Sequence, residues 1–409
     1  MKKSLVALSV AALSTAALAQ SNVTIYGTAD VSAQGTSLST HVGQSSNPSG
    51  TTFNLKSNDS SIGFKGTEAL GNGNTALFQL ESYVNVTGGE AVNTNSGNLF
   101  GTMKDSYVGM GTKYGNVLGG YLSTPYRATV NSFDVFPGDR SDSVIENVIG
   151  KQRFGGRLVG QNATGYVQAD STVRATALAY AMPTLYGVDG SIAYTGSNNN
   201  GSNNQTVNNV GGSTQTTLGL QNAFTFNLGW TGYGVAVKGA FSQAKVNATV
   251  QGTDSLGTAL STNTPFNGYT SYLVGVQYTG IQGLKTGVLY NRNSLGTNGD
   301  GTLGAQKGSN NQVWVGASYR FGNNEPRVSY VSTSDTSGLS SVGIGQDGGT
   351  QWNLGWGYYL SKRTQVYGMV TQYKNNANGV WSPIQTGSNM LPTGGQTYTT
   401  YGTGLRTNF

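Results

Sequence analysis

From Val23 to Phe409 the chain alternates, in stretches of about ten residues where every second position is apolar. In residues 351–360, QWNLGWGYYL, Trp352, Leu354, Trp356, Tyr358 and Leu360 share one face, and Gln351, Asn353, Gly355 and Gly357 share the other. A period of two places those sets on opposite sides of a β-strand. No stretch beyond the N-terminus approaches the ~20 consecutive apolar residues of a membrane-spanning helix, yet an oily face recurs along the chain. Such a pattern predicts an all-β chain whose strands close into a barrel, apolar toward hydrocarbon and polar toward a watery lumen.

The connections between these stretches take turns in length. Short ones lie near 68–73, 112–115, 183–187, 230–232, 281–283, 322–326 and 361–363; long ones rich in Asn, Gly, Ser and Thr lie near 35–51, 86–103, 122–171, 198–214, 247–267, 295–310, 336–349 and 376–396. Seven short and eight long links predict sixteen antiparallel strands, with tight turns on one rim and long loops on the other. Within the strands the faces agree. Val23, Ile25, Ala29 and Val31 alternate with Thr24, Tyr26, Thr28, Asp30 and Ser32; Val313, Val315, Ala317, Tyr319 and Phe321 alternate with Trp314, Ser318 and Arg320. Tyr, Phe and Trp collect at strand ends, as in interfacial girdles. Residues 172–182, TVRATALAYAM, fit the pattern least well, with small residues on one face. The tract SNNNGSNNQTVNNVGG at 197–212 reads as an external loop, and alternation on both sides argues against a linker between domains.

A barrel of sixteen strands is too wide for its own side chains to fill, so water is expected inside. Composition agrees. Only 10% of residues are charged, against roughly 25% in soluble domains. Residues 1–19 have the layout of a cleaved signal peptide: Lys2 and Lys3, an apolar run, then Ala-Leu-Ala before Gln20. The domain expected to remain is 20–409. Without those two lysines, 21 Lys and Arg stand against 17 Asp and Glu, a mild surplus that does not suit a nucleic-acid binder. There is no cysteine, hence no disulfide or thiolate metal site, and neither cofactor nor metal is expected.

The connection 122–171 concentrates charge in a charge-poor chain: Arg127, Asp134, Asp139, Arg140, Asp142, Glu146, Lys151, Arg153, Arg157 and Asp170. A loop so long usually has a role. The reading favoured here is that this third loop folds into the lumen and narrows it, placing charges where low-dielectric walls focus the field. A solvated surface loop is the plainer alternative. Polar-face charges in mid-strand, Asp30, Lys65, Glu81 and Lys238, are the candidates on the facing wall, each equally a hydrated lumen group.

Several stretches resemble the general porins of Gram-negative bacteria, in particular the beta-proteobacterial trimeric family. VTIYGTAD (23–30) is similar to that family's first strand, SSIGFKGTEALGNGNTALFQLES (60–82) to its second hairpin, and YVGMGTKYGNVLGGYLSTPY (107–126) to the hairpin before its constriction loop. LSKRTQVYG (360–368) and YGTGLRTNF (401–409) resemble its last turn and last strand. The resemblance implies a homotrimer of sixteen-stranded, water-filled barrels in outer-membrane lipid and lipopolysaccharide, passing small hydrophilic solutes and ions by passive diffusion. It also implies that Phe409, with Leu405 and Tyr401 on its face, is the signal read by the outer-membrane assembly machinery; on its own Phe409 is an interfacial aromatic. Two departures stand out. Ser61 and Gly120-Tyr121 occupy positions where the family typically has arginines of the basic constriction wall, whereas Arg406 remains on the lumen face. Anion preference is therefore open, with weak selectivity or cation preference as the alternatives.

Three rivals are weaker. A barrel enzyme needs a positioned base, and the only histidine is His41, in a loop beside Gly43 and Asn47. A secreted β-solenoid adhesin needs a fixed-length repeat, which the variable spacing does not provide. A substrate-selective channel lies closest and differs in having saturable flux.

Overall fold

In a computed structural model the chain is described over residues 22–39, 50–87, 100–138, 141–155, 166–196, 206–210, 213–218, 221–245, 252–253, 259–260, 266–297, 307–338, 345–383 and 394–409. The expected signal peptide, His41, Asp139, Arg140 and Arg157 lie outside these residues. The barrel strands are β1 (Asn22–Leu38), β2 (Gly50–Ser57 continuing as Ser61–Gly71), β3 (Asn74–Val84), β4 (Phe100–Met103 continuing as Ser106–Thr112) and β5 (Gly115–Ser123). Then come β6 (Arg174–Ala181), β7 (Val188–Thr195), β8 (Gln221–Gly232), β9 (Val235–Lys245), β10 (Phe266–Tyr278) and β11 (Leu284–Thr297). The last five are β12 (Lys307–Tyr319), β13 (Asn324–Thr333), β14 (Gly349–Tyr359), β15 (Thr364–Asn375) and β16 (Thr397–Asn408).

Each strand pairs antiparallel with its neighbours in chain order, and β16 returns to β1 in a register running from Thr28↔Asn408 to Leu38↔Tyr398. The seam is finished by the last residue. Phe409 N–H donates to Gly27 O at 3.0 Å and Gly27 N–H donates to Phe409 O at 3.2 Å. This is the closed sixteen-stranded barrel that the alternation predicts.

Tight turns join β2–β3, β4–β5 and the later pairs on one rim, and two of the two-residue links take left-handed conformations: Asn72-Gly73 at φ 51° and 77°, Tyr233-Gly234 at 53° and 76°. The turn expected at 230–232 lies slightly later, because β8 runs through Trp230-Thr231-Gly232 and Tyr233 takes the exposed tip. The doubtful stretch is strand β6, with Leu178 and Tyr180 outward and alanines inward. Of the Asn/Gly tract, Thr206–Val210 is described, paired with Ser213–Leu218. That hairpin joins Tyr166–Asp170 and Lys151–Gly155 of the third loop in one small sheet, and alternation resumes in β8, as in a loop and not a domain boundary.

Two strands are broken, β2 at 58–60 and β4 at 104–105. Interruptions of this kind re-aim side chains, and both breaks carry charge: Asp59, and Lys104 with Asp105.

The outer face holds the oily residues. Leu354 is 56% exposed while its neighbour Asn353, pointing in, is fully buried. The same split recurs for Val313 and Val315 against Gln312 and Trp314. An apolar exterior around a polar interior is stable only where the outside solvent is hydrocarbon. We therefore expect Leu354→Arg to destabilise the barrel in lipid vesicles by about 2–4 kcal/mol, measured by denaturant unfolding. On a water-facing surface the same change would move stability by only about 0.5 kcal/mol.

Candidate functional site

After β5 the chain turns inward. Thr124 caps a helix, α1 (Pro125–Phe133), its Oγ1 accepting from Arg127 N–H at 3.2 Å, with Pro125 in the first turn where a missing N–H costs nothing. Tyr126, Val130 and Phe133 form the buried stripe, and Ala128 is exposed. That stripe meets the lumen wall of β8–β12. Asn227 Nδ2 donates to Thr129 Oγ1 at 3.0 Å, Gln277 Nε2 donates to Ser132 O at 3.1 Å, and Tyr126 OH donates to Asn291 Oδ1. Phe133 sits edge-on to Trp314 with ring centroids 6.3 Å apart, over Gly275, where an added Cβ would come within 2.6 Å of the ring.

Past the helix, the loop is held by amides. Gln312 Nε2 donates to Val148 O at 2.9 Å and Lys151 O at 2.8 Å, while its Oε1 accepts from Gly150 N–H at 3.0 Å. Asn293 Nδ2 donates to Lys151 O at 2.9 Å, and Tyr269 OH donates to Gly150 O at 2.8 Å. Uncharged amides satisfy the loop's buried peptide groups without the larger desolvation penalty of ions. Further along the wall, Tyr373 OH and Gln351 Nε2 donate to Asp142 O at 2.7 and 3.2 Å. Arg153 ties in the last long connection, with Nη1 donating to Ser382 O at 2.9 Å and its guanidinium 5.3 Å from the Trp381 ring centre. The third loop thus lies within the barrel, packed along its β8–β16 side.

Most of the predicted loop charges are spent on this packing. Arg127 pairs with Glu146 at 2.8 Å inside the loop, and Lys151 with Asp170 at 2.8 Å. Asp142 pairs with Lys56 of β2 and accepts from Thr400 Oγ1 at 2.7 Å. Asp134 staples the loop to itself: its two carboxylate oxygens accept from Phe136 N–H and Ile145 N–H, each at 2.9 Å. Lys285 donates to the Asp134 carbonyl. Burial pushes the Asp134 carboxyl up to about 7, against the opposing pull of the two N–H donors and of Lys285.

A second group of charges gathers on the wall of β16 and β1–β6. Arg406 bridges Asp30 at 3.0 Å and Asp59 at 3.1 Å; Lys104 bridges Asp59 at 3.2 Å and Glu81 at 2.9 Å. Tyr367 OH donates to Asp30 Oδ1 at 2.6 Å and Tyr26 OH to Glu81 Oε2 at 3.0 Å. Beside them Arg174 pairs with Asp105 at 2.7 Å and donates to Tyr83 OH at 3.1 Å. The loop reaches this net at Gly138, whose left-handed backbone (φ 91°) lies so close that an added Cβ would be 3.1 Å from Arg406 Nη1 and from Asp59 Cβ.

Of the wall candidates, Asp30, Glu81 and Arg406 come together. Lys65 and Lys238 are not in the net: Lys65 stands over the Tyr26 ring at 5.0 Å, and Lys238 lies beside Gly229 near the tight-turn rim. Sequence reasoning missed Asp59, Lys104, Asp105 and Arg174. Lys104 donates to Ser61 Oγ at 3.5 Å, so a cation stands beside the position that appeared to have lost one. The signal available was a Lys-Asp pair at 104–105 breaking a strand pattern.

The family described as Gram-negative porin matches residues 5–378. Major outer membrane protein P.IB of Neisseria lactamica is 28% identical over 373 residues, covering 90% of this chain and 91% of that protein. The P.IB protein of Neisseria gonorrhoeae is 33% identical over 208 residues, about half of either chain at 50% and 51%. Among solved structures, the anion-selective porin from Comamonas acidovorans superposes with a TM-score of 0.69 at 18% identity, covering 95% of this chain and all of that one. OmpT of Vibrio cholerae in its trimer form gives 0.60 at 14% identity, covering 95% and 99%.

Two outcomes follow from the loop's anchorage. Gln312→Leu leaves Gly150 N–H without its acceptor, at about 1–3 kcal/mol, and takes one donor each from Val148 O and Lys151 O, so limited trypsin digestion should cut at Lys151 in the variant and spare it in the unmodified protein. The second concerns pH. A carboxyl raised to about 7 from its ordinary 3.8 keeps a proton in the folded loop that the unfolded chain releases. Loop stability therefore falls as pH rises between those values. Fluctuations in channel current should increase from pH 4.5 to pH 8, and Asp134→Asn should flatten that dependence.

Proposed function

The chain belongs to the Gram-negative porin family, an outer-membrane channel for small solutes, and from that premise we propose that it conducts by passive diffusion with little preference between cations and anions. One observation carries the reading: the third loop is bonded into the lumen along one wall and touches a net of opposite charges on the other. Within that net Asp30, Asp59 and Glu81 face Lys104 and Arg406, while Asp105 and Arg174 offset each other. The loop charges Arg127, Asp142, Glu146, Lys151 and Asp170 are already paired. Paired charges leave a small residual field for a hydrated ion to follow. In this reading Asp30, Glu81 and Arg406 act at the constriction, Asp134 shapes the loop, and Lys65 and Lys238 belong to the turn-side vestibule.

Other parts of the proposal follow from the ends of the chain and the apolar exterior. Residues 1–19 direct export and are removed. Phe409, half-exposed at the seam, is the feature presented to the outer-membrane assembly machinery. The apolar belt contacts lipid, with lipopolysaccharide on the side of the long loops, and three copies assemble, a reading supported by the trimer form of the Vibrio protein.

Planar-bilayer recording tests the channel. Purified protein is expected to insert in steps of open conductance, with a reversal potential near zero in a salt gradient; folded protein without conductance would refute the channel. Lys104→Gln removes one cation from the net. It should shift permeability toward cations by about fivefold, the effect of one uncompensated charge at ~4 Å in water.

A further inference from the structure

The wall that the loop leaves open is not polar throughout. In register across five strands, the lumen-facing positions Leu77, Gly109, Leu118, Ala179 and Ala193 form one continuous row on β3 to β7. Leu77 and Leu118 meet over Gly109: a Cβ there would fall 2.6 Å from Leu118 Cδ2 and 3.0 Å from Leu77 Cδ1. Leu122, Ala177 and Tyr107 pack on the same patch, and Leu77, Tyr107, Leu118 and Ala179 remain partly exposed to the lumen. These small and aliphatic residues include the alanines that made β6 look irregular. The next row toward the long-loop rim begins with Gln79, paired with Tyr107, whose hydroxyl donates to Gln79 Oε1 at 3.3 Å. Gln79 Nε2 in turn donates to Glu81 Oε2 at 3.3 Å and Asp105 O at 3.4 Å. A patch of aliphatic side chains, edged by Tyr107 with its hydroxyl directed to Gln79, therefore abuts a net presenting both signs of charge.

We infer that this row is an apolar lane that favours permeation of zwitterionic solutes with an aliphatic or aromatic side chain. Such a solute can set its ammonium near Glu81 and Asp105 and its carboxylate near Lys104 and Arg174, while its side chain covers Leu77, Leu118 and Ala179. A solute with one sign of charge is held by half of the net and opposed by the rest. A polar zwitterion gains nothing from the lane, because covering apolar surface is favourable only for apolar groups.

This inference rests on the channel reading, and swelling of vesicles containing the full-length protein separates the two. L-leucine and L-asparagine are zwitterions of similar size, with arabinose as the uncharged reference. Leucine should enter faster than asparagine by about threefold or more, the weight of covering one methylene. In Leu118→Ser/Ala179→Ser the ratio should fall to about one, with Leu77→Asn as an independent variant should the first fail to fold. Equal rates for the two amino acids in the unmodified protein, or a ratio untouched in folded variants, would overturn the lane. Vesicles that swell with no solute, arabinose included, would refute the channel itself.

Discussion

A strand in hydrocarbon has no water to bond with, so each of its backbone N–H and C=O groups must find another strand. Every other feature of this protein answers to that constraint. Sixteen strands pair in chain order, and the sheet has no free edge because β16 comes back to β1. The last residue supplies part of the seam, exchanging two backbone hydrogen bonds with Gly27. Satisfying the backbone in this way frees the side chains to sort by solvent, apolar outward and polar inward.

Closure at this width creates a second problem, a hole wider than the wall's side chains can fill. The third loop answers it, and the way it is held explains where it lies. Its peptide groups need partners, and the walls of β8–β15 offer amides and hydroxyls at matching heights: Asn227, Gln277, Asn293, Gln312, Gln351 and Tyr373. The walls of β3–β7 offer leucine, glycine and alanine at the equivalent row. A loop backbone placed there would lose its hydrogen bonds to water and gain none. Hydrogen-bonding capacity on one side and its absence on the other thus make the passage eccentric.

Charge follows a related logic. Asp59, Lys104 and Asp105 all stand in breaks of β2 and β4, where the chain is released from strict alternation. Freed from the pleat, these side chains reach across neighbouring strands and complete a net that Asp30, Glu81 and Arg406 begin. Partly buried carboxylates and cations so close together hold each other in place, since removing one leaves the other's desolvation uncompensated.

Alternation with period two determined the barrel, the strand number, the direction of each face and the inward position of Asp30, Glu81 and Arg406. That information is local: two residues apart on a strand means the same side. The length and charge of residues 122–171 favoured a place in the lumen but left a solvated surface loop open, and the hydrogen bonds from the lumen wall decided between them. The partners were decided only in three dimensions. Register between strands distant in sequence brought Lys104 to Ser61 and Glu81, paired Asp142 with Lys56, and aligned Leu77 with Leu118 and Ala179. Spacing along one chain fixes which face a residue points to, but not the height at which its neighbour's residues arrive, and at a pore that height decides what meets what.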